Sequence, residues 1–162
     1  MRAIVSVDYY WGIGFDGQLL EQLPAHSRNI RERVYGKVVV LGRKTFETLY
    51  RSKPLENCTT IVLSKNTLYD VPGVIVVHNE HELLKTVEDY GTNDVFILGG
   101  ESVYGKFLKY CDSVFVTHIN RVHKADKYFI DLNEHSSWKC TSLSSLKQCR
   151  DFTYNFTEYI RC

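Results

Sequence analysis

The sequence has no apolar run long enough to span a membrane, and its longest apolar stretches have the length of single strands. Proline is scarce, with 3 residues, and no proline-, glycine- or serine-rich stretch marks a linker between domains. An excess of charge is also absent, since 20 basic and 19 acidic residues give a formal net charge of +1. This balance provides no basic field for nucleic acid or for a membrane surface. We therefore expect one domain over residues 1–162 that binds neither.

The cysteines lack the spacing of a disulfide framework or of a zinc site. They are odd in number, widely separated and without a C-x-x-C pair, at Cys58, Cys111, Cys140, Cys149 and Cys162. Dispersed cysteines of this kind are typical of free thiols, so we expect no bound metal. The chain also opens on an apolar strand pattern rather than on a charged region followed by a long apolar core, which favours a cytoplasmic location.

What is present is an alternation of short apolar runs with segments of helical spacing, which predicts an α/β fold with a mostly parallel sheet. The predicted strands are residues 3–7, 38–41, 60–63, 74–77, 95–98 and 113–119, followed by an antiparallel pair at 138–143 and 152–161. Helices are predicted for residues 24–35, after Gly42, between the capping pair Asn79 and Glu82 and the stop at Gly91, and after Gly100.

Two strand-to-helix turns give the strongest indication of a ligand. One apolar run ends in Gly99 and Gly100 and then changes to helical spacing. Glycine lets the backbone approach a ligand closely, and the first turn of a helix offers unpaired N–H groups to phosphate. A second run leads into Gly42-Arg43-Lys44-Thr45, which places two cations and a hydroxyl at another helix start. Together the two turns predict a phosphate-binding site.

The order and spacing of motifs along nearly the whole chain resemble dihydrofolate reductase. The motifs are residues 4–8, Gly12-Ile13-Gly14 with Gly17, Leu23-Pro24, residues 36–47, 61–64 and 98–104, and Thr117-His118-Ile119. The resemblance implies a single-domain, mostly parallel eight-stranded sheet flanked by four helices, with a C-terminal antiparallel hairpin. It also implies NADPH-dependent reduction of 7,8-dihydrofolate to tetrahydrofolate in one-carbon metabolism, by hydride transfer to pterin C6.

The resemblance assigns one side of the site to NADPH. Arg43 and Lys44 would meet the phosphates, Thr45 would donate a hydroxyl at the helix start, and Ser64 and Lys65 would lie near the ribose 2′-phosphate. A guanidinium, an ammonium and a hydroxyl around one dianion favour NADPH over NADH. The full set that the resemblance implies for the cofactor is Ile13, Gly14, Gly42, Arg43, Lys44, Thr45, Ser64, Lys65, Gly99, Gly100, Glu101, Ser102, Val103 and Tyr104.

The glycine-rich stretch at residues 9–17 resembles the family's mobile lid over the nicotinamide. Its glycines would permit the backbone to rearrange, and closure would exclude water during hydride transfer. Ile13 and Leu19 are the expected apolar contacts of the lid. The aromatic residues expected to pack into it are Tyr9, Tyr10 and Trp11.

The substrate side departs from the family at three positions. His26 stands where the family has the Asp or Glu that binds the pterin ring N–H and amino group through two carboxylate oxygens. A neutral imidazole has one acceptor and one donor, and losing a buried charged partner typically costs ~2–5 kcal/mol. Glu21 replaces the usual Trp before the Leu-Pro element, and Cys58 replaces the Arg that clamps the folate glutamate. His26 is expected either to face inward in an i, i+4, i+8 stripe with Ile30 and Val34 or to lie partly in solvent.

Replacements for the lost contacts are available nearby. Arg28 and Arg31 would grip a carboxylate tail or form an ordinary solvated face, and Glu21 would reach across from the lid to restore a carboxylate. Thr117 would link the pterin amino group to the acid position, and Tyr104 would lie near the nicotinamide or be a core aromatic with a surface hydroxyl. The expected catalytic residues are His26, Glu21, Thr117 and Tyr104. The expected substrate-binding residues are Ile4, Val5, His26, Ile30, Arg31, Leu49, Leu98 and Thr117.

Three functions remain open from the sequence. The first is a divergent dihydrofolate reductase in which water supplies the proton to pterin N5. The second is an NADPH-dependent reductase of another small heterocycle, such as the pyrimidine of riboflavin synthesis, and the third is a non-catalytic NADP- or folate-binding protein. An enzyme is favoured, because a mobile lid serves to shield a chemical step from water. The expected partner is a small-molecule substrate, dihydrofolate or a related heterocycle, and the expected state is a monomer.

Overall fold

The computed structural model describes all 162 residues and contains twelve strands and four α-helices. The strands are β1 (Arg2–Val7), β2 (Gly12–Phe15), β3 (Gln18–Leu19), β4 (Val38–Gly42), β5 (Thr59–Leu63), β6 (Ile75–Val77), β7 (Val95–Ile97), β8 (Ser113–Asn120), β9 (Lys127–Tyr128), β10 (Trp138–Leu143), β11 (Lys147–Cys149) and β12 (Phe152–Arg161). The helices are α1 (Pro24–Val34), α2 (Arg43–Leu49), α3 (Glu80–Val87) and α4 (Glu101–Phe107). None of them has the length and apolar character that crossing a bilayer requires.

The main sheet has the strand order β10-β12-β8-β1-β7-β4-β5-β6, with β11 paired to β12 at one end. The strands from β8 to β6 in this order pair in parallel, whereas β12 runs antiparallel to both β8 and β10. The prediction of a mostly parallel sheet with a closing antiparallel hairpin is therefore confirmed, and β11 makes it nine-stranded where eight strands are expected. The sequence does not predict β11, because this strand has three residues, two of them exposed polar side chains, and no apolar alternation.

Strand β4 shows why the early strands are continuous apolar runs. Its alternate residues enter two separate cores: Val38 and Val40 pack on one face of the sheet, and Val39 and Leu41 pack on the other. All four side chains are buried. Because helices cover both faces, neither set of alternate positions meets water, and the polar half of the usual alternation disappears.

The helix boundaries follow the local signals in the sequence. Pro24 occupies the first turn of α1, where its missing N–H has no cost, and the helix ends before Gly36, whose φ is +71°. Asn79 caps α3 through a 2.9 Å bond from the Glu82 N–H to its side-chain oxygen, and the Glu82 carboxylate accepts the His78 N–H at 2.7 Å. The predicted cap at Asn79 is confirmed, but the return bond differs from that of a capping box, because Glu82 accepts the N–H of His78 and the Asn79 side-chain amide rather than the Asn79 N–H.

The lid stretch is not an irregular loop, because β2 pairs with β3 and β9 in a separate three-stranded sheet. The N–H of Asp126 donates to the Gly14 carbonyl at 3.0 Å, and the N–H of Asp16 donates to the Asp126 carboxylate at 3.1 Å. Trp11 is buried, as expected. The expectation that Tyr9 and Tyr10 pack into the lid is wrong: they are 62% and 64% exposed, because they form the tip of a tight turn.

Candidate active site

A single large cleft of about 1650 Å³ opens at the carboxyl ends of the parallel strands, where open α/β sheets bind ligands. Helices α1, α2 and α4 and the small sheet contribute its walls. Its lining includes most of the residues that the sequence predicts for the site: Ile4, Val5, Ile13, Gly14, His26, Ile30, Gly42, Arg43, Lys44, Thr45, Leu49, Ser64, Lys65, Leu98, Gly100, Glu101, Ser102, Val103 and Tyr104. Strands that are far apart in sequence thus bring the predicted residues to one place.

The two glycine turns lie directly against each other. The Gly42 N–H donates to the Gly99 carbonyl at 2.8 Å. A Cβ at Gly100 would lie 2.9 Å from Thr45 Oγ1, and one at Gly42 would lie 3.0 Å from Val103 Cγ2. A larger residue at either position would therefore displace a neighbouring side chain, and α2 and α4 both begin here without a side-chain cap. The first-turn N–H groups are left for a ligand, which fits the phosphates of a dinucleotide.

Cations and hydroxyls surround these turns as the sequence predicts. Arg43 lines the cleft and holds Glu47, one helical turn on, through a 2.9 Å ion pair. Ser64 is buried at the end of β5, and Lys65 beside it is exposed. The structure adds His78, which the sequence does not single out: its Nδ1 donates to the Ser64 carbonyl at 2.9 Å, and its ring lines the cleft. Only the pairing of β5 with β6 brings it there.

Glu101 has a contact that the sequence does not predict. Its carboxylate accepts the N–H of Tyr128 at 2.6 Å and so ties the start of α4 to the small sheet. Ile13 packs against the main core from the lid, and Leu19 lines the cleft from β3. The lid is therefore joined to the helix that begins at the glycine pair.

At the α1 end of the cleft, His26 and Thr117 form a buried polar pair. His26 Nδ1 lies 2.8 Å from Thr117 Oγ1, and the two residues are 9% and 1% exposed. His26 lies on the inward stripe with Ile30 and Val34, so the expectation that it faces inward is the one that holds. Burial lowers the pKa of His26 to about 4, and the imidazole is neutral at physiological pH.

Ser6 joins this pair and is missed by the sequence analysis. It is the register partner of Thr117 in the parallel pairing of β1 with β8, and it lines the cleft. The alternation of β1 indicates Ser6, because it lies two residues after Ile4, an expected substrate contact, and so faces the same side of the sheet. Neither the Ser6 hydroxyl nor Nε2 of His26 has a hydrogen-bond partner, and neither is enclosed, so both are open to the cleft.

Tyr104 lines the cleft with its ring, but its hydroxyl is committed elsewhere. The hydroxyl donates to the Ile4 carbonyl at 2.6 Å inside the protein, so the expected alternative of a surface hydroxyl is wrong. Burial raises the pKa of Tyr104 well above its usual value. This residue packs and positions, and it has no free proton to give.

The structure does not bring every predicted residue into the cleft. Glu21 lies outside it, with its carboxylate 3.0 Å from His123 Nε2 and 3.3 Å from Arg121, so it does not restore the missing carboxylate. Arg31 is exposed on the outer side of α1 and does not line the cleft. Cys58 is half-buried and lies 3.6 Å from the Leu55 carbonyl, also away from the lining. These placements follow from tertiary packing that the spacing of residues does not reveal.

Taken together, the parallel sheet, the paired glycine turns and a second polar site in the same cleft define a dinucleotide-binding α/β enzyme. A family model described as dihydrofolate reductase matches residues 1–161 of the chain. Dihydrofolate reductase of Staphylococcus aureus is 31% identical over 129 residues, which are 80% of this chain and 77% of that protein. Dihydrofolate reductase type A13 of Escherichia coli is 32% identical over 112 residues, which are 69% of this chain and 66% of that protein.

A solved structure gives the same result. The dihydrofolate reductase from Enterococcus faecalis, complexed with NADP(H) and RAB-propyl, superposes with a TM-score of 0.87 and 29% identity. The match covers 99% of this chain and 95% of the other. The chain belongs to the dihydrofolate reductase family, and it is an NADPH-dependent oxidoreductase. The resemblance inferred from the motifs is confirmed.

Proposed function

We propose that the chain reduces 7,8-dihydrofolate to tetrahydrofolate in one-carbon metabolism, with NADPH as the hydride donor. One observation carries this proposal. A single cleft joins the paired glycine turns at Gly42 and Gly100 to a buried polar pair, His26 and Thr117, across an apolar wall that includes Ile4 and Leu98. A flat heterocycle held by the polar pair would therefore lie beside a nicotinamide whose phosphates occupy the turns.

Hydride donation, orientation of the substrate and the supply of a proton fall to different groups in the cleft. Bound NADPH supplies the hydride to pterin C6. His26, which the buried Thr117 hydroxyl orients, would bind the heterocycle edge, and Ile4, Ile30 and Leu98 would hold its faces. No side chain is a suitable acid for pterin N5, since neutral His26 has a pKa of about 4 and the carboxylates that line the cleft lie on α2, α3 and α4. Water therefore supplies that proton, and the lid limits how much water enters.

The preference for NADPH over NADH rests on the groups around the ribose 2′-phosphate. Arg43, Lys44, Ser64 and Lys65 all line the cleft, directly after the neighbouring strands β4 and β5. Two charge-assisted hydrogen bonds to the phosphate should make NADPH bind more than tenfold tighter than NADH, or more than ~1.4 kcal/mol. Replacing Arg43 by Ala should reduce the difference in affinity between NADPH and NADH. Lys139→Ala, a change at an exposed position of β10, should leave this difference unaltered. Equal dissociation constants of the wild type for the two cofactors by calorimetry would contradict the assignment.

The setting of the reaction is also part of the proposal. All five cysteines are unpaired, which supports a reducing compartment such as the cytoplasm. We also propose a monomer, and the family match over residues 1–161 supports one domain over residues 1–162. Arg31, with Arg28 beside it, stays a proposed contact for a carboxylate tail, and only for a tail that extends beyond the cleft.

The deciding experiment measures NADPH oxidation, by the loss of reduced-nicotinamide absorbance, with dihydrofolate as the substrate. We expect turnover that saturates with dihydrofolate and yields tetrahydrofolate. The matched arm offers the deaminated pyrimidine of riboflavin synthesis under the same conditions. Turnover of that pyrimidine without turnover of dihydrofolate would support the second function instead. Binding of NADPH and dihydrofolate without any turnover would support a non-catalytic protein.

A further inference from the structure

Three uncharged side chains from three elements meet at the α1 end of the cleft. His26 comes from α1, Ser6 from β1 and Thr117 from β8. Thr117 bonds to His26 at 2.8 Å and is the register partner of Ser6. We call these three residues the neutral polar group. Its two open atoms, Nε2 of His26 and the Ser6 hydroxyl, are buried-side polar atoms that the group offers to a ligand, and the hydroxyl of the exposed Ser27 lies in the same lining.

No negative charge lies within this group or beside it in the lining. The acidic residues that line the cleft are Glu47, Glu80 and Glu101, on α2, α3 and α4. Each of them already has a partner: Glu47 holds Arg43, Glu80 holds Lys109, and Glu101 accepts the backbone N–H of Tyr128. Asp8, two residues after Ser6, and Glu21, five residues before His26, lie outside the lining, where Asp8 accepts the N–H groups of Gly12 and His123 and Glu21 pairs with His123. A cation at the α1 end would therefore be buried without a counter-charge.

The hydrogen-bonding capacity of the group matches a neutral ring edge. The Thr117 hydroxyl either accepts from Nδ1–H of His26 or donates to Nδ1. In the first case Nε2 is an acceptor for a ring N–H or an amino group, and in the second it is a donor to a ring nitrogen. With either tautomer of His26, Nε2 can form a hydrogen bond with a neutral heterocycle. A protonated ring would have no counter-charge in this buried site, and burying an uncompensated charge costs free energy.

We propose that the neutral polar group makes this cleft selective for uncharged heterocycles and excludes heterocycles that bind as cations. The proposal rests on the proposed function, because it specifies the form of the pterin edge that the site receives. A burial-lowered pKa of about 4 for His26 agrees with it, since the imidazole stays uncharged at physiological pH. The selectivity would depend on His26, the member of the group at which this chain departs from the family, and it follows from charge as well as shape.

The test measures the number of protons taken up when two matched probes bind to the NADP⁺ complex. The probes are 2,4-diaminopteridine, a base that becomes a cation by taking up one proton, and pterin, its neutral 2-amino-4-oxo counterpart. Calorimetry in buffers of different ionisation enthalpy, one pH unit above the pKa of free 2,4-diaminopteridine, gives the proton count. We expect the wild type to bind pterin at least as tightly as 2,4-diaminopteridine and to take up no proton with either.

Variants at His26 provide the contrast. His26→Asp should take up close to one proton with 2,4-diaminopteridine and bind it at least about tenfold tighter than the wild type, as one charged hydrogen bond allows. His26→Asn, which remains neutral, should take up none. The matched control is Ser27→Asp, which adds the same charge at an exposed position of the lining and should leave the proton count unchanged.

The outcomes separate the inference from the proposed function. Uptake of close to one proton by the wild type with 2,4-diaminopteridine, or failure of the wild type to bind pterin, would overturn the inference whatever the turnover of dihydrofolate. The wild-type measurement decides even where His26→Asp does not fold. If the proton counts are as expected and dihydrofolate is not turned over, the proposed function fails and the selectivity stands.

Discussion

Glu21 Oε1 lies 3.0 Å from His123 Nε2. This contact holds Glu21, which comes two residues after β3, outside the substrate cleft. Arg121 and Arg150 approach the same carboxylate, at 3.3 Å and 3.8 Å. The carboxylate that the sequence offers as a substitute for the missing acid is thus engaged in anchoring the lid to the β8–β9 connection and to the β11–β12 turn.

This placement predicts a small effect for Glu21→Gln. Partly exposed ion pairs are typically worth ~0–1 kcal/mol, so kcat/KM for dihydrofolate should fall by less than about fivefold. His26→Ala, at the site itself, should lower kcat/KM by at least about tenfold through the lost hydrogen bonds. Steady-state kinetics of both variants checks the difference. A loss in Glu21→Gln as large as that in His26→Ala would show that Glu21 reaches the substrate.

Restoring the family's acid should improve catalysis. His26→Asp presents two acceptors to the pterin, and kcat/KM should rise by roughly tenfold or more for one recovered charged hydrogen bond of about 1.5–3 kcal/mol. In the wild type, neutral His26 should persist down to about pH 4, where its pKa lies, so activity should not fall through the ordinary titration range of an imidazole. His26→Asn is the control and should show no gain. A rate unchanged or lower in the aspartate variant would mean that His26 does not occupy the position of the acid.

Burial of His26 should also make the fold sensitive to acid. Its pKa is about 4 in the folded protein and 6.5 by the ordinary value of the unfolded chain. Between these values the unfolded chain binds more protons, so the free energy of unfolding falls as the pH drops from 6.5 towards 4. Between about pH 7 and about pH 5 the loss should be ~2 kcal/mol.

Urea unfolding of the wild type and of His26→Gln at these two pH values measures this loss. The variant should lose less stability by about that amount. His118→Gln is the comparison variant, because burial also lowers the pKa of His118. That variant should remove only the part of the pH-dependent loss of stability that His118 causes. Equal pH dependence in the wild type and His26→Gln would show that His26 does not account for the sensitivity.

Substitution of two glycines, one directly before α4 and one within it, should affect different properties: cofactor binding in the first case and the stability of the fold in the second. A Cβ at Gly100 would lie 2.9 Å from Thr45 Oγ1, so Gly100→Ala should displace the glycine turns and weaken NADPH binding by more than about tenfold. Gly105→Ala, within α4, meets no atom within 4 Å and should instead stabilise the fold by up to ~1 kcal/mol with unchanged affinity. Fluorescence titration and thermal unfolding of the pair give both quantities. If Gly105→Ala weakened NADPH binding more than Gly100→Ala did, Gly100 would not belong to the cofactor site.

The role of Arg31 requires a substrate with a tail. Arg31→Glu should raise KM for dihydrofolate and leave KM unchanged for a dihydropterin without the glutamate, because the side chain lies outside the cleft that holds the ring. A change of about fivefold corresponds to ~1 kcal/mol for an exposed ion pair. Arg33→Glu is an unsuitable control, since Arg33 packs over the Phe115 ring at 3.7 Å, and Lys85→Glu on α3 serves better. The same KM for both substrates in Arg31→Glu and the wild type would reject the assignment.

The sequence by itself determines the elements and the cofactor turns. Apolar runs bounded by glycines predict the strands, Asn79 and Glu82 predict the start of α3, and Gly42 and Gly100 predict the place where phosphates bind. These features are local: each depends on backbone conformation or on burial within a few residues, and the printed order of residues contains that information.

Only the tertiary structure decides which side chains meet. Ser6, His26 and Thr117 are far apart in the sequence, and the parallel register of β1 with β8 together with the packing of α1 makes them one polar group. Contacts with His123 and Arg121 hold Glu21 away from the cleft, and the pairing of β5 with β6 brings His78 to Ser64. Contacts at such separations depend on the register of strands and the seating of helices, which burial of the whole core fixes at once and which no local pattern specifies.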